Sequence, residues 1–136
     1  MAKIIRLNMP FNGVGTQNNP RKKYGRDESR LQIKCVRNFK RMFPKILIWH
    51  TPNGGARSKS TANFLKLEGV LAGVPDLFIA HVTKKYAGLF VELKSGKNST
   101  SKQQKILIEQ LRKAGYRVEV VKTEKDFLDL VQEYCV

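Results

Sequence analysis

Four stretches of the chain have the patterning or the end signals of helices. The first begins at Asp27, where apolar residues start to recur every three or four positions, and it ends before Pro44, since proline interrupts a helix. Its apolar stripe consists of Leu31, Cys35, Phe39 and Met42. Two further helices are predicted over residues 62–68 and 102–114. Thr123 can cap a last helix that runs towards the C-terminus.

Short apolar runs between these helices predict four strands. They cover residues 46–49, 76–82 and 89–94 and the residues around Val118 and Val120. The second and third strands are close enough in the chain to pair as a hairpin. Side chains alternate faces along a strand, so Phe90, Glu92 and Lys94 share one face of the third strand. This order of elements predicts a mixed α/β fold with a central sheet flanked by helices.

Residues 1–26 precede the first patterned stretch and are rich in Asn, Gly, Lys and Arg. Pro10 and Pro20 interrupt regular structure there, so we expect a loop or a basic arm, with residues 27–136 as the folded domain. The basic cluster of this segment consists of Arg21, Lys22, Lys23 and Arg26. A flexible solvated tail and an arm that contacts nucleic acid both agree with this composition.

Net charge is the property in which the chain departs most from an ordinary domain. Its 136 residues include 26 Lys and Arg against 11 Asp and Glu, which gives a net charge of +15 and a pI near 10.1. Such an excess attracts polyanions, so DNA or RNA is the expected partner. No segment has the length of a membrane span or the apolar stretch of a signal peptide. Cys35 and Cys135 form no zinc or disulfide pattern, and we expect a soluble cytoplasmic protein.

Two acids and a lysine lie at the ends of the predicted hairpin strands. Asp76 follows Pro75 at the start of one strand, and Glu92 and Lys94 lie near the end of the other. Carboxylate oxygens are the ligands that Mg²⁺ or Mn²⁺ prefers, and an adjacent lysine can activate water or neutralise charge on a phosphate. The pattern predicts a metal-dependent nuclease centre, with the Leu93 carbonyl as a further ligand. Two plainer interpretations stay open, namely Asp76 as a turn residue and Glu92 with Lys94 as a surface ion pair on an edge strand.

Glu28 and His50 are polar residues that each have two possible roles. Glu28 lies on the apolar stripe of the first predicted helix, where it either interacts with the helix dipole or points at the active site. His50 lacks the spacing of a zinc site, so we expect a hydrogen-bonded structural residue or a phosphate contact. The predicted nucleic-acid contacts are His50, Asn53, Arg57, Lys59, Lys66, Lys97 and Lys102. Aromatic and basic residues do not interleave as in RNA-recognition sheets, so base stacking is not predicted.

Several separate motifs together resemble one known family. They are residues 50–55 (HTPNGG), 73–77 (GVPDL) and 92–94 (ELK), followed by Gln104, Leu111 and Gly115. In this order they resemble the virus-type replication-repair nuclease (VRR-NUC) domain, a family of the PD-(D/E)xK nuclease superfamily. The resemblance extends over residues 27–123, which is nearly the whole chain. It implies an α/β fold with a restriction-endonuclease-like core, in which helices flank a central mixed β-sheet.

The resemblance also implies a Mg²⁺- or Mn²⁺-dependent DNA endonuclease with assigned site residues. Asp76 and Glu92 match the metal-binding acids of the family, and Lys94 matches its catalytic lysine. Glu28 looks like the acid of the first helix, which would place it among the metal ligands. Gln104 looks like the glutamine on the helix after the lysine, beside a role in capping its own helix.

Short members of this family, often encoded by phages, resemble junction-resolving enzymes that act as dimers. We therefore expect a homodimer that cleaves branched DNA, such as four-way junctions or flaps, during replication or repair in a bacterial or phage-infected cell. One alternative is a sequence-specific restriction-type endonuclease, for which 136 residues leave little base-reading surface. The other is a basic DNA-binding module without catalysis, which gives no role to Asp76, Glu92 and Lys94.

Overall fold

The computed structural model describes residues 20–52 and 58–136, with side chains from Arg26 onward. Within these residues, four helices and four strands follow in the order α1 (Pro20–Met42), β1 (Leu47–His50), α2 (Lys59–Leu67), β2 (Leu77–Ala80), β3 (Leu89–Leu93), α3 (Lys102–Lys113), β4 (Arg117–Val121) and α4 (Glu124–Cys135). The predicted order of helices and strands is confirmed, and so is the α/β class with a central sheet. Among the described helices, none is long and apolar enough to cross a membrane.

Helix α1 begins ahead of its predicted start at Asp27. Its first residue is Pro20, so the end of the segment predicted as a loop or basic arm is helical. Proline is favoured at the first helical position because its fixed φ suits a helix and its missing N–H needs no partner there. Apolar periodicity could not show this start, since the residues that α1 packs against the core begin further along, at Leu31. Residues 1–19 of the predicted arm lie outside the described residues.

The four strands form one mixed sheet in the order β1-β2-β3-β4. β2 pairs antiparallel with β1 and with β3, so the predicted hairpin is present, with Phe78 opposite Phe90. β3 and β4 are parallel, because α3 crosses over between them and returns the chain in the same direction. β3 is therefore an internal strand that has a hydrogen-bonded neighbour on each side.

Alternation along β3 sends its side chains into two layers. Leu89 and Val91 lie in the main core beneath α1 and α4, whereas Phe90 and Glu92 point to the opposite face. That second face is covered along β4 by α3. The fully buried residues of the main core include Cys35, Phe39, Leu77, Ile79, Leu89, Val91, Phe127 and Val131. Helix α3 and the end of β3 are thus placed to meet on the same side of the sheet.

One residue of the predicted apolar stripe of α1 is placed differently by the structure. Met42 is exposed, and Phe43 packs against the core in its place. Both residues lie about one turn beyond Phe39, so helical spacing alone does not decide between them. The ring of Phe43 contacts that of Phe39, with a centroid distance of 5.2 Å. The larger buried aromatic surface decides which of the two faces inward.

Both cysteines are free thiols. Burial raises the pKa of Cys35 to about 12 and that of Cys135 to about 11. A thiol with so high a pKa stays protonated at neutral pH and is a poor nucleophile or metal ligand. Cys35 acts as a small core residue that packs between α1 and the sheet.

Candidate active site

Asp76 joins three strands at one end of the sheet. It directly precedes β2, and its carboxylate Oδ2 accepts a hydrogen bond of 2.8 Å from the backbone N–H of Leu93, at the end of β3. Its carbonyl oxygen accepts hydrogen bonds from Nδ1–H of His50 at 2.8 Å and from the N–H of Thr51 at 2.9 Å, at the end of β1. The carboxylate thus bonds across the sheet and not within its own turn. The interpretation of Asp76 as a plain turn residue is wrong.

Glu92 is a buried acid, with only 2% of its surface exposed. Its Oε1 lies 2.7 Å from Nζ of Lys94 and accepts a hydrogen bond of 2.6 Å from Nε2 of Gln104. Lys94 follows β3 directly, and its side chain is 13% exposed. Because β3 is internal and Glu92 is buried, the interpretation of the pair as a surface ion pair on an edge strand is wrong. Burial of a charge is costly, and the two donors on Oε1 offset that cost.

Gln104 has two contacts, and its amide group can make both only in one orientation. Its Oε1 accepts a hydrogen bond of 2.9 Å from the N–H of Ser101, while Oγ of Ser101 accepts one of 3.2 Å from the N–H of Gln104. This is the predicted capping box of α3. With Oε1 used by the cap, Nε2 is directed towards Glu92. The capping role and the contact with the acid are therefore compatible, and the cap holds the amide in place for that contact.

The two contacts of Gln104 can be separated by a pair of variants. Ser101→Ala removes the capping hydroxyl and leaves the contact of the Gln104 amide with Glu92. Gln104→Ala keeps that hydroxyl and removes both side-chain contacts of Gln104, the one with the N–H of Ser101 and the one with Glu92. We expect each variant to lower the stability by about 1 kcal/mol, measured by thermal unfolding. Only Gln104→Ala is expected to lower the rate of DNA cleavage as well, by about tenfold or more, since it leaves Glu92 without one of its donors. An equal loss of activity in Ser101→Ala would mean that Gln104 acts through the cap alone.

Burial raises the pKa of Asp76 and of Glu92 above their ordinary values of 3.8 and 4.5. The N–H of Leu93 and the charge of Lys94 oppose the rise in the pKa of Asp76, and the charge of Glu28 adds to it. Contacts with Lys94 oppose the rise in the pKa of Glu92, and the charge of Asp76 adds to it. A buried and a partly buried acid that repel each other are stabilised by any further positive charge between them.

Glu28 borders the site from α1. The helix begins at Pro20 and has no acid in its first turn, so the interpretation of Glu28 as a partner of the helix dipole is wrong. Its Oε1 accepts hydrogen bonds from the N–H of Ser95 at 3.2 Å, from Oγ of Ser95 at 3.4 Å and from Nδ2 of Asn98 at 3.0 Å. Glu28 therefore ties α1 to the loop after β3. Its charge also reaches Asp76, whose pKa it raises.

The acids at this end of the sheet offer hard oxygen ligands to a cation. In the part of the chain that the structure describes, no three His, Cys, Asp or Glu side chains form a group that could hold a metal ion. The donor set at this end of the sheet is therefore smaller than three such side chains. It consists of the carboxylates of Asp76 and Glu92 and the backbone carbonyl of Leu93. Hydrogen bonds from the described residues reach Oδ2 of Asp76 and Oε1 of Glu92. Mg²⁺ keeps several waters and needs only one or two protein carboxylates, so this donor set fits Mg²⁺ or Mn²⁺.

Several predicted nucleic-acid contacts lie at the same end of the sheet. His50 is hydrogen-bonded to the carbonyl of Asp76, Lys97 lies in the loop that Glu28 holds, and Lys102 begins α3. Lys59 and Lys66 lie on α2, in the segment between β1 and β2. All five of these basic residues are exposed. Asn53 and Arg57 lie outside the described residues.

Two residues of this site, Ser95 and Asn98, were missed by reasoning from the sequence. They hold Glu28 through a contact between residues that are 67 to 70 positions apart. The only signal in the sequence is the polar loop SGKNSTS that directly follows Lys94. A loop rich in Ser and Asn has many ordinary roles, so its composition could not assign this one.

Comparisons with known proteins agree with this fold. The mixed sheet with its flanking helices defines an α/β domain of the nuclease type. The family model described as the VRR-NUC domain matches residues 26–125. A solved structure named "VRR_NUC domain protein" is 31% identical over 79% of this chain and 87% of that chain, with a TM-score of 0.67. Another, named "VRR_NUC domain", is 24% identical over 79% of this chain and 97% of that chain, with a TM-score of 0.54, and supports the fold.

No curated protein sequence gave a significant match. The chain belongs to the VRR-NUC domain family, whose members are in general nucleases. The resemblance predicted from the motifs is thereby confirmed, as is the nuclease-like fold.

Proposed function

We propose that the protein is a divalent-metal-dependent DNA endonuclease that hydrolyses phosphodiester bonds. Its proposed active-site residues are Asp76, Glu92 and Lys94. The main support is the burial of Glu92 on an internal strand, where Lys94 and Gln104 hold it beside a second acid. Apolar residues of similar size would fill this space without the cost of buried charges, so stability alone does not explain them. The net charge of +15 supports a polyanionic substrate.

Asp76 and Glu92 are the proposed carboxylate ligands, and the Leu93 carbonyl is the proposed backbone ligand. The N–H of Leu93 already fixes Oδ2 of Asp76, so the carboxylate is oriented before any cation binds. When bound, Mg²⁺ or Mn²⁺ supplies positive charge that stabilises the phosphoryl oxygens and turns water into a better nucleophile. Glu28, predicted as a further ligand, forms no metal-holding group with Asp76 and Glu92 among the described residues. We assign it instead a negative charge at the edge of this set, consistent with its effect on the pKa of Asp76.

Lys94 and Gln104 prepare the site for the phosphate. Nζ of Lys94 lies 2.7 Å from Glu92 and is mostly buried, so its charge acts where water screens little. We assign it the role of holding the attacking water or of neutralising charge on the phosphate. Gln104 keeps Glu92 in a fixed orientation through its 2.6 Å hydrogen bond. His50 and the exposed lysines near it are proposed to bind the DNA backbone.

The preferred substrate is proposed to be branched DNA, and the active form a homodimer. Symmetric cutting of two strands needs two sites, and a two-fold dimer of this chain provides them. Such an activity would serve DNA replication or repair in the cytoplasm of a bacterial or phage-infected cell. The non-catalytic alternative, a basic DNA-binding module, has no use for a buried and a partly buried acid beside a lysine.

Cleavage of a matched set of labelled DNAs tests this function. The set holds a duplex, a single strand, a flap and a four-way junction, each incubated with Mg²⁺, Mn²⁺ or EDTA. We expect the full chain to cut a branched DNA with either metal and not in EDTA. Glu92→Gln, which keeps the size of the side chain, is expected to lose cutting. Tight binding without cutting in either metal would favour the binding module instead.

A further inference from the structure

Helix α2 (Lys59–Leu67) carries apolar side chains that are not buried by the described chain. None of its residues is buried, and it contacts no other helix or strand among the described residues. Phe64 is 63% exposed and Leu67 is 86% exposed. Val70 and Leu71, just past the helix, are exposed as well. Such an apolar surface indicates a binding site, because proteins otherwise cover contiguous apolar side chains.

Two stripes run side by side along α2. Phe64 and Leu67 are three residues apart and therefore lie on one face of the helix. Lys59, Asn63 and Lys66 follow at spacings of four and three and form the neighbouring stripe. Asn63 and Lys66 each come one residue before Phe64 and Leu67, and one residue is a rotation of about 100° around the helix. An exposed aromatic ring thus lies next to a row of two lysines and an amide.

The segment that contains α2 begins and ends at the active site. It leaves the sheet at Thr51, whose N–H donates to the carbonyl of Asp76, and it returns to the sheet at Asp76 itself. Near its end, the carbonyl of Ala72 accepts a hydrogen bond of 3.5 Å from Nε2 of Gln103, the neighbour of Gln104. The segment that contains helix α2 is therefore attached to the sheet at the end where the acids lie.

We propose that α2 binds unpaired nucleotides of the substrate, with Phe64 stacking on a base and Lys59 and Lys66 binding phosphates. Sites for single-stranded nucleic acid combine these parts, a basic row that follows the backbone and an aromatic side chain for the bases. The inference rests on the proposed nuclease function and names its substrate class, DNA with single-stranded nucleotides beside the cleaved bond. Base stacking is not evident from the sequence, because it depends on the exposure of Phe64, which only the structure shows.

Charge favours DNA over a second copy of the chain as the occupant of α2. In a two-fold interface the same surface faces itself, so Lys59 and Lys66 of both copies would be brought into one interface. Like charges at an interface are unfavourable, whereas the phosphates of DNA are complementary to them. The strongly basic chain as a whole adds to this attraction.

Binding measured in EDTA tests the inference without cleavage. Fluorescence anisotropy compares a labelled single strand, a forked duplex and a fully paired duplex at one salt concentration. Phe64→Leu keeps an apolar side chain and removes the ring, Phe64→Tyr keeps the ring, and Val82→Ala alters an exposed apolar residue beyond the other end of β2. We expect Phe64→Leu to bind the single strand and the fork about tenfold more weakly, and the duplex almost unchanged. Phe64→Tyr and Val82→Ala are expected to bind all three as the wild type does.

Equal binding of all DNAs by Phe64→Leu and the wild type would overturn the inference. So would a fall of the particle mass from two chains to one in Phe64→Ser, since the apolar face would then belong to a second copy. Because Phe64 is 63% exposed and no residue of α2 is buried, these variants are expected to unfold at the wild-type temperature. A wild type that binds forks through Phe64 but cuts nothing with Mg²⁺ or Mn²⁺ would refute the nuclease function alone. A wild type that cuts DNA and tolerates Phe64→Leu would refute the α2 inference alone.

Discussion

Replacement of Asp76 by Asn is expected to lower the rate of DNA cleavage by about 10³-fold or more and to leave DNA affinity nearly unchanged. The amide has the same size, and its oxygen can still accept the hydrogen bond from Leu93, so the fold stays intact. It no longer carries the negative charge that a divalent cation requires of its ligand. Single-turnover cleavage in Mg²⁺ measures the rate, and anisotropy in EDTA measures the affinity.

The matched control for Asp76→Asn is Asp129→Asn. Asp129 is an exposed acid on α4 that pairs with Lys125, so its replacement changes the net charge equally at a different surface. We expect cleavage by this variant at the wild-type rate. Unchanged cleavage by Asp76→Asn would remove this residue from the site. A similar loss in both variants would point to net charge as the cause.

The stability of the protein without metal is expected to fall, relative to Asp76→Asn, as the pH rises from about 4 through the raised pKa of Asp76. Burial raises the pKa of Asp76 above 3.8, so the folded state holds its proton more tightly than the unfolded state does. Below pH 3.8 the acid is protonated in both states, and its charge costs nothing. Above the raised pKa the folded state contains a partly buried charge on Asp76, and the full cost of that charge is present. The variant lacks this charge at every pH.

Addition of Mg²⁺ is expected to reverse this loss in the wild type at the upper end of that range. A Mg²⁺ concentration of about 100 times its dissociation constant stabilises the folded state by roughly 2.7 kcal/mol. Asp76→Asn is expected to gain little. Thermal or urea unfolding across this pH range, with and without Mg²⁺, gives both differences, and Asp129→Asn again serves as the control. Stability differences that do not change with pH, or an equal gain from Mg²⁺ in all three proteins, would contradict the assignment of Asp76.

The acids and the lysine of the site could be predicted because local rules place them. Alternation along a strand puts Glu92 and Lys94 on one face, and they are in contact at 2.7 Å. The capping box of Ser101 and Gln104 follows from a spacing of three residues, and it is present. The hairpin of β2 and β3 required only two short strands with a short connection, and it brings Asp76 next to Leu93. Each of these features depends on residues close together in the chain.

Other features depend on contacts that no local pattern contains. Glu28 was placed correctly on the inner stripe of its helix, but its partners Ser95 and Asn98 belong to a loop far along the chain. Patterning likewise located α2, yet could not show that nothing in the described chain covers Phe64. Burial is a property of the assembled layers, so a helix with an apolar stripe looks the same in sequence whether or not a partner exists.

The parallel pairing of β3 with β4 affects the chain while it is being synthesised. Asp76 and Glu92 are translated before Gln104 and β4, and the hairpin that carries them can form from neighbouring residues. Gln104 comes later, and β4 can join β3 only after the whole of α3 has left the ribosome, because contacts between distant segments close last. A nascent or truncated chain therefore contains the two acids without the hydrogen bond from Gln104 and without β4 beside β3. On the proposed function, we therefore expect the protein to cut DNA only when the whole domain has been synthesised.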